Sequence, residues 1–233
     1  MLNPTTKTSL GTFAFIAGFG ILFMATSPFA EFLVYQKLVI PGNAAATIMN
    51  ILSHKGLFLS GVFSYLINFI CDVVVAWALY FLLKPVSESL SLLAAWFQLV
   101  YAIMSLVALL NLASVLRLLN IGDYTTFLPP DQVPDQVMLS LSAFRDWWAF
   151  SFFFFGIHLV LLGYLVFKSG YIPKWVGISL AIAGLGYLIN TTQRYLFPKI
   201  NLEFITITYF GELVFMLWLL IKGLRIKEPS YLT

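Results

Sequence analysis

Residues 58–83 read FLSGVFSYLINFICDVVVAWALYFLL, an apolar run whose one charged side chain is Asp72. At about 1.5 Å of rise per residue a helix of this length crosses the ~30 Å hydrocarbon layer of a bilayer. Its small and polar residues Gly61, Tyr65, Asn68, Asp72 and Ala76 fall at three- and four-residue steps, on one stripe. Such a stripe on an otherwise apolar helix faces neighbouring helices, not lipid.

Five more runs share this character: Leu10–Val34, Leu90–Leu116, Trp147–Phe167, Val176–Phe197 and Phe204–Ile221. Composition agrees, with 61% hydrophobic and 10% charged residues and a mean hydropathy of +0.93; soluble domains carry about 25% charged residues. The expected fold is therefore all-α, a bundle of six transmembrane helices in one domain over residues 1–233. The net charge of +3 is too small and too scattered for a nucleic-acid partner. Cys71 is the only cysteine, which excludes internal disulfides and cysteine-based metal or redox motifs.

The basic residues set an expected orientation. Lys7, Lys84, Lys168, Lys174, Lys222, Arg225 and Lys227 flank short turns and the termini on one side, against only Glu88 and Glu228. The other side spreads Lys37, Lys55, Arg117, Arg145, Arg194 and Lys199 over longer loops, balanced by Glu31, Asp123, Asp131, Asp135, Asp146 and Glu203. The positive-inside rule then places both termini in the cytoplasm of a cell's plasma membrane. The apolar start exceeds a signal peptide's usual core and is expected to be retained. Of the two long outer connections, 35–57 turns at Pro41-Gly42-Asn43, and 117–146 passes Pro129-Pro130 before a helical pattern begins near Asp135.

Ionisable side chains inside the hydrocarbon are costly and mark functional sites. Asp72, His158 and Glu212 each lie ten or twelve residues before a lysine that ends its segment, Lys84, Lys168 and Lys222 respectively. That sets all three about 15–18 Å from one membrane face, near mid-depth. Further residues share their inward faces at helical spacing: Gln98, Tyr101 and Ser105 on the third segment, Trp147, Ser151 and Phe154 on the fourth. Tyr187 and Asn190 follow on the fifth, with Tyr209 beside Glu212 on the sixth. Arg145, Asp146 and Arg194 stand at the outer ends of their segments, either as interfacial anchors or as a cationic mouth.

Several stretches together resemble a bacterial family of six-span membrane proteins known as domain of unknown function 4386. They are Asn3-Pro4-Thr5-Thr6-Lys7-Thr8, Phe63–Leu83, Arg145-Asp146-Trp147, and Ser169-Gly170-Tyr171-Ile172-Pro173-Lys174-Trp175-Val176-Gly177. Gly211-Glu212-Leu213 and Trp218-Leu219-Leu220-Ile221-Lys222-Gly223 complete the set. The resemblance implies the six-span architecture and no activity.

Three readings of the polar centre stand open. Asp72, His158 and Glu212, with Asn68, Tyr65, Gln98, Tyr101, Tyr187 and Asn190, form a site for a small ligand or for proton-coupled transport or sensing. Alternatively, one imidazole and two carboxylates hold zinc in an intramembrane enzyme, although the chain has no His-X-X-X-His or Glu-X-X-His spacing. Or the polar groups are interhelical fasteners worth ~1 kcal/mol each. No cofactor is expected on the first reading, and the partners are the bilayer, a small ligand and, in an oligomer, further copies of the chain. On the first reading the carboxylates and the imidazole are expected to converge, with at least one pair in hydrogen-bond or single-water reach.

Overall fold

The computed structural model describes residues 9–24, 30–120, 128–197, 199 and 207–226, and every regular element in them is helical. The helices are α1 (Leu10–Met24), α2 (Ala44–Ser53), α3 (Lys55–Leu83), α4 (Glu88–Leu118), α5 (Val133–Lys168), α6 (Lys174–Leu196) and α7 (Phe210–Lys222). A π-helical turn, Glu31–Tyr35, precedes α2 and runs into the single turn Gln36–Leu38. The fold is the expected all-α membrane bundle.

Five helical stretches are long and apolar enough to cross a membrane: α3, α4, α5, α6 and Ile207–Arg225, which contains α7. The first expected span is different. Its helix α1 has 15 residues, about 22 Å of rise and so short of the hydrocarbon thickness. Residues 25–29 of that expected span lie outside the described residues.

Local signals explain the helix ends. The Asn43 side chain accepts from the Ala46 amide at 2.9 Å and caps α2. Helix α5 starts at Val133 with Pro134 and Asp135 in its first turn and ends on Lys168, the arrangement that suits an N-terminal proline and the helix dipole. At 36 residues it absorbs the helical pattern expected near Asp135 into one continuous rod. Between α3 and α4, Lys84 pairs with Glu88 at 2.9 Å. That carboxylate, and then the Tyr80 hydroxyl, hold the Lys84 ammonium above its usual range. The turn after α5 uses Gly170 at φ +74°, left-handed backbone that favours glycine.

The chain forms two compact units, and their boundaries fall inside the three long helices α3, α4 and α5. Unit 1 comprises 1–22, 72–101 and 152–233; unit 2 comprises 23–71 and 102–151. Unit 2 has an apolar core in which Ile51, Phe58, Leu112, Val115, Val137, Leu141 and Phe144 are buried.

Unit 1 is built on close helix approach. Along the α5–α6 contact, a Cβ on Gly163 would sit 2.6 Å from the Gly177 carbonyl oxygen, and one on Gly177 equally close to that of Gly163. Gly156 and Gly184 repeat the reciprocal contact at 2.9 and 2.7 Å. Both helices carry their glycines seven residues apart, two turns on one face, so two antiparallel backbones meet without intervening side chains. Helix α7 is drawn in the same way: a Cβ on Gly211 would collide with the Ser179 carbonyl.

Candidate functional site

The polar stripe of α3 faces inward. Tyr65, Asn68 and Asp72 are all buried, Asp72 completely. On α4, Gln98, Tyr101 and Ser105 are buried; on α5, Ser151 and His158 are. Along α5 the aromatic member of the buried face is Phe155, with Phe154 only half-buried and Trp147 exposed. The buried line is therefore 151–155–158, rotated from the expected 147–151–154–158. Tyr187, Asn190, Tyr209 and Glu212 are half-buried, and Arg145, Asp146 and Arg194 are exposed.

Within unit 1 the two mid-span carboxyls, Asp72 and Glu212, each have an uncharged partner. Asp72 accepts from the Gln98 side-chain amide, and Glu212 is close enough for its charge to act on Asp72. Glu212 itself accepts from the Tyr187 hydroxyl. The amide oxygen of the same Gln98, Oε1, is buried and accepts no hydrogen bond. Tyr187 lies parallel to Tyr209, with ring centroids 3.9 Å apart at 5°. Asn190 Nδ2 in turn donates to the Tyr209 hydroxyl at 2.8 Å.

His158 takes a different place. Its Nδ1 lies 2.9 Å from the Ala94 carbonyl oxygen on α4, and its ring stacks on Phe155 at 5.8 Å. Among the described residues no group of three His, Cys, Asp or Glu side chains is arranged to hold a metal ion. The acids thus meet an amide and a phenol, and the imidazole meets backbone. Depth along a helix is legible in sequence spacing; rotation about its axis decides partners and is not.

Unit 2 carries a second polar cluster. The Tyr65 hydroxyl donates to Glu31 Oε2 at 3.0 Å, tying the π-helical turn to α3. Tyr35, on the same turn, donates to the Leu141 carbonyl at 2.8 Å and accepts from Arg145. Burial pushes the Tyr35 hydroxyl well up, and the Arg145 guanidinium opposes that. Tyr35, Tyr65, Phe144 and Trp148 pack ring against ring, with centroids 4.8 to 5.8 Å apart. The charge pattern alone places Glu31 among the acids of the outer side. Yet it lies inside the first apolar run, the criterion that singled out Asp72, and that signal would have found it. Arg145 and Asp146 belong to unit 2 and Arg194 to unit 1.

A Tyr35→Phe substitution keeps the ring packing and removes the donor to Leu141. A loss of about 0.5–1.5 kcal/mol is expected, read as a lower melting temperature in detergent. No change in melting would mean that this bond contributes nothing net.

Comparison with known proteins adds three findings. The profile of the family described as Domain of unknown function (DUF4386) matches residues 16–223. A protein of Archaeoglobus fulgidus titled "Uncharacterized protein" is 42% identical over 159 residues, covering 68% of this chain and 81% of the relative. The resemblance thus extends beyond bacteria. No solved structure matches.

Proposed function

Since the chain belongs to the family described as Domain of unknown function (DUF4386), whose description carries no activity, we propose a function from the residues themselves. The protein is an integral membrane protein that exchanges protons at a buried site formed by Asp72 and Glu212, where a small ligand docks. Gln98 and Tyr187 hold the two carboxyls, and Asn190 and Tyr209 extend the site. The lysine-flanked turns favour cytoplasmic termini.

One observation carries this reading. Gln98 donates to Asp72 while its own buried oxygen accepts nothing. An ionised carboxylate has no proton to offer that oxygen, whereas a neutral carboxyl does, closing a two-bond acid–amide pair. A buried acceptor left unmet costs about 1–3 kcal/mol. The resting site is therefore described best with a proton on Asp72. Glu212 is also close enough for its charge to act on Asp72. Two carboxyls at mid-membrane depth are suited to passing a proton. His158 is left as a fastener between α4 and α5, consistent with its bond to Ala94.

Infrared spectroscopy of the protein in lipid tests this. A protonated-carboxyl stretch should be present, should disappear in Asp72→Asn, and should shift promptly on transfer to D2O. Absence of any band assignable to Asp72, or a band that resists exchange for hours, would reduce the pair to packing.

A further inference from the structure

We propose that unit 2 carries a surface site for a zwitterionic phospholipid headgroup, with Arg145 taking the phosphodiester and Glu31 the ammonium. The site shares no residue with the Asp72–Glu212 centre, and its residues all fall within 23–71 and 102–151.

Local structure builds it. Glu31 and Tyr35 begin and end a π-helical turn, in which the Gln36 amide donates to the Glu31 carbonyl five residues back. Turns of this kind are rare and recur at functional sites. The turn is seated on α3 at Gly61, where a Cβ would lie 2.8 Å from Val34 Cγ1. Two buried tyrosines then hold the two charges. Tyr65 donates to Glu31 Oε2 at 3.0 Å, and the Tyr35 hydroxyl accepts from Arg145.

The charges name the ligand. Glu31 and Arg145 both act on Tyr35, so they stand around one side chain. Yet among the described residues no ion pair joins them. Opposite charges tethered side by side and kept apart suit a molecule that carries both. Arg145 is exposed and Glu31 half-buried, and each keeps hydrogen-bonding capacity beyond its tyrosine: a guanidinium has five N–H donors and a carboxylate two oxygens. Exposed Asp146 adds negative charge around Tyr35, which disfavours inorganic phosphate and anionic headgroups. A half-buried carboxylate needs donors, which a primary ammonium supplies and a quaternary one does not. The class that fits is therefore a phosphoethanolamine headgroup.

Position names the source. Arg145 stands two residues before the apolar run Trp147–Phe167, which as helix is about 31 Å long and matches the hydrocarbon layer. Glu31 lies three residues before the end of the apolar run Leu10–Val34. Both stand where hydrocarbon gives way to headgroups, the level at which arginine reaches lipid phosphate.

Native mass spectrometry of the full chain in detergent, titrated with single lipids, tests the assignment. Phosphatidylethanolamine should bind about tenfold tighter than phosphatidylcholine or phosphatidylglycerol, the worth of one charge-assisted hydrogen bond. Glu31→Gln should erase the preference over phosphatidylcholine. Arg145→Gln should weaken both lipids alike, and Arg145→Lys should weaken them less, with all three variants melting cooperatively. Competition in the unmodified protein decides the matter even if a variant fails to fold. Excess glycerophosphoethanolamine, the headgroup without its chains, should displace the lipid, and inorganic phosphate should not. Equal binding of the three lipids, a preference unchanged in Glu31→Gln, failure of the soluble headgroup to compete, or displacement by inorganic phosphate would each overturn the proposal.

Discussion

Gly163→Leu is expected to abolish the folded protein, or to lower its melting temperature more than any conservative change at the polar centre. A Cβ at this position would lie 2.6 Å from both the Ala181 nitrogen and the Gly177 carbonyl oxygen. These are backbone atoms of α6, not the tip of a side chain that can swing away. Relief demands that α5 and α6 move apart over two helical turns, which also opens the Gly156–Gly184 contact. Overpacking costs typically about 1–3 kcal/mol and more where nothing yields; the upper end applies here. Even Gly163→Ala should be damaging. Gly56→Ala is the control, since a Cβ there meets nothing within 4 Å, and it should melt like the parent. Thermal unfolding in one detergent, followed by circular dichroism, compares all three. A Gly163→Leu protein that melts with the parent would show that the two helices are not in close contact.

Gln98→Leu is the second substitution with a large expected effect. It removes the amide that donates to Asp72, a fully buried carboxyl. Stranding a buried polar partner costs about 1–3 kcal/mol, more if the group is charged. Replacing both members changes the sign of the argument. In Asp72→Leu/Gln98→Leu both members of the pair are removed together, so part of the lost stability should return. A double-mutant cycle in unfolding free energy reads this directly, and a coupling energy near zero would mean that the two side chains do not interact. The cycle also separates architecture from activity: the double variant should be stable and yet show no exchangeable carboxyl band from residue 72.

How far the chain could be read in advance differs by scale. Hydrocarbon-length runs fixed the helices, and the helical stripe of α3 pointed its polar residues inward because a helix repeats every 3.6 residues whatever surrounds it. The pattern near Asp135 likewise anticipated that α5 begins well before its apolar core. What failed to appear was partnership. Equal depth suggested that His158 would meet a carboxylate, but depth is one coordinate of three, and Gln98 and Tyr187 hold the acids instead. The glycine pairs are legible in principle, as seven-residue spacings in two consecutive segments.

Because the unit boundaries cut through α3, α4 and α5, neither unit is a contiguous stretch of chain, and this bears on synthesis. Every residue of unit 2 has been made once Ser151 leaves the ribosome, whereas unit 1 draws on residues as late as α7. The first unit to have all its parts is thus the one with the Glu31–Tyr65 tie and the apolar core around Phe144. Until α6 and α7 arrive, Asp72 and His158 wait in the half-made protein without the helices that carry Tyr187 and Glu212. Glu212 arrives last, at the moment the final helix docks against α6 through Gly211, so a chain stopped before α7 carries every residue of unit 2 but lacks this partner of Tyr187.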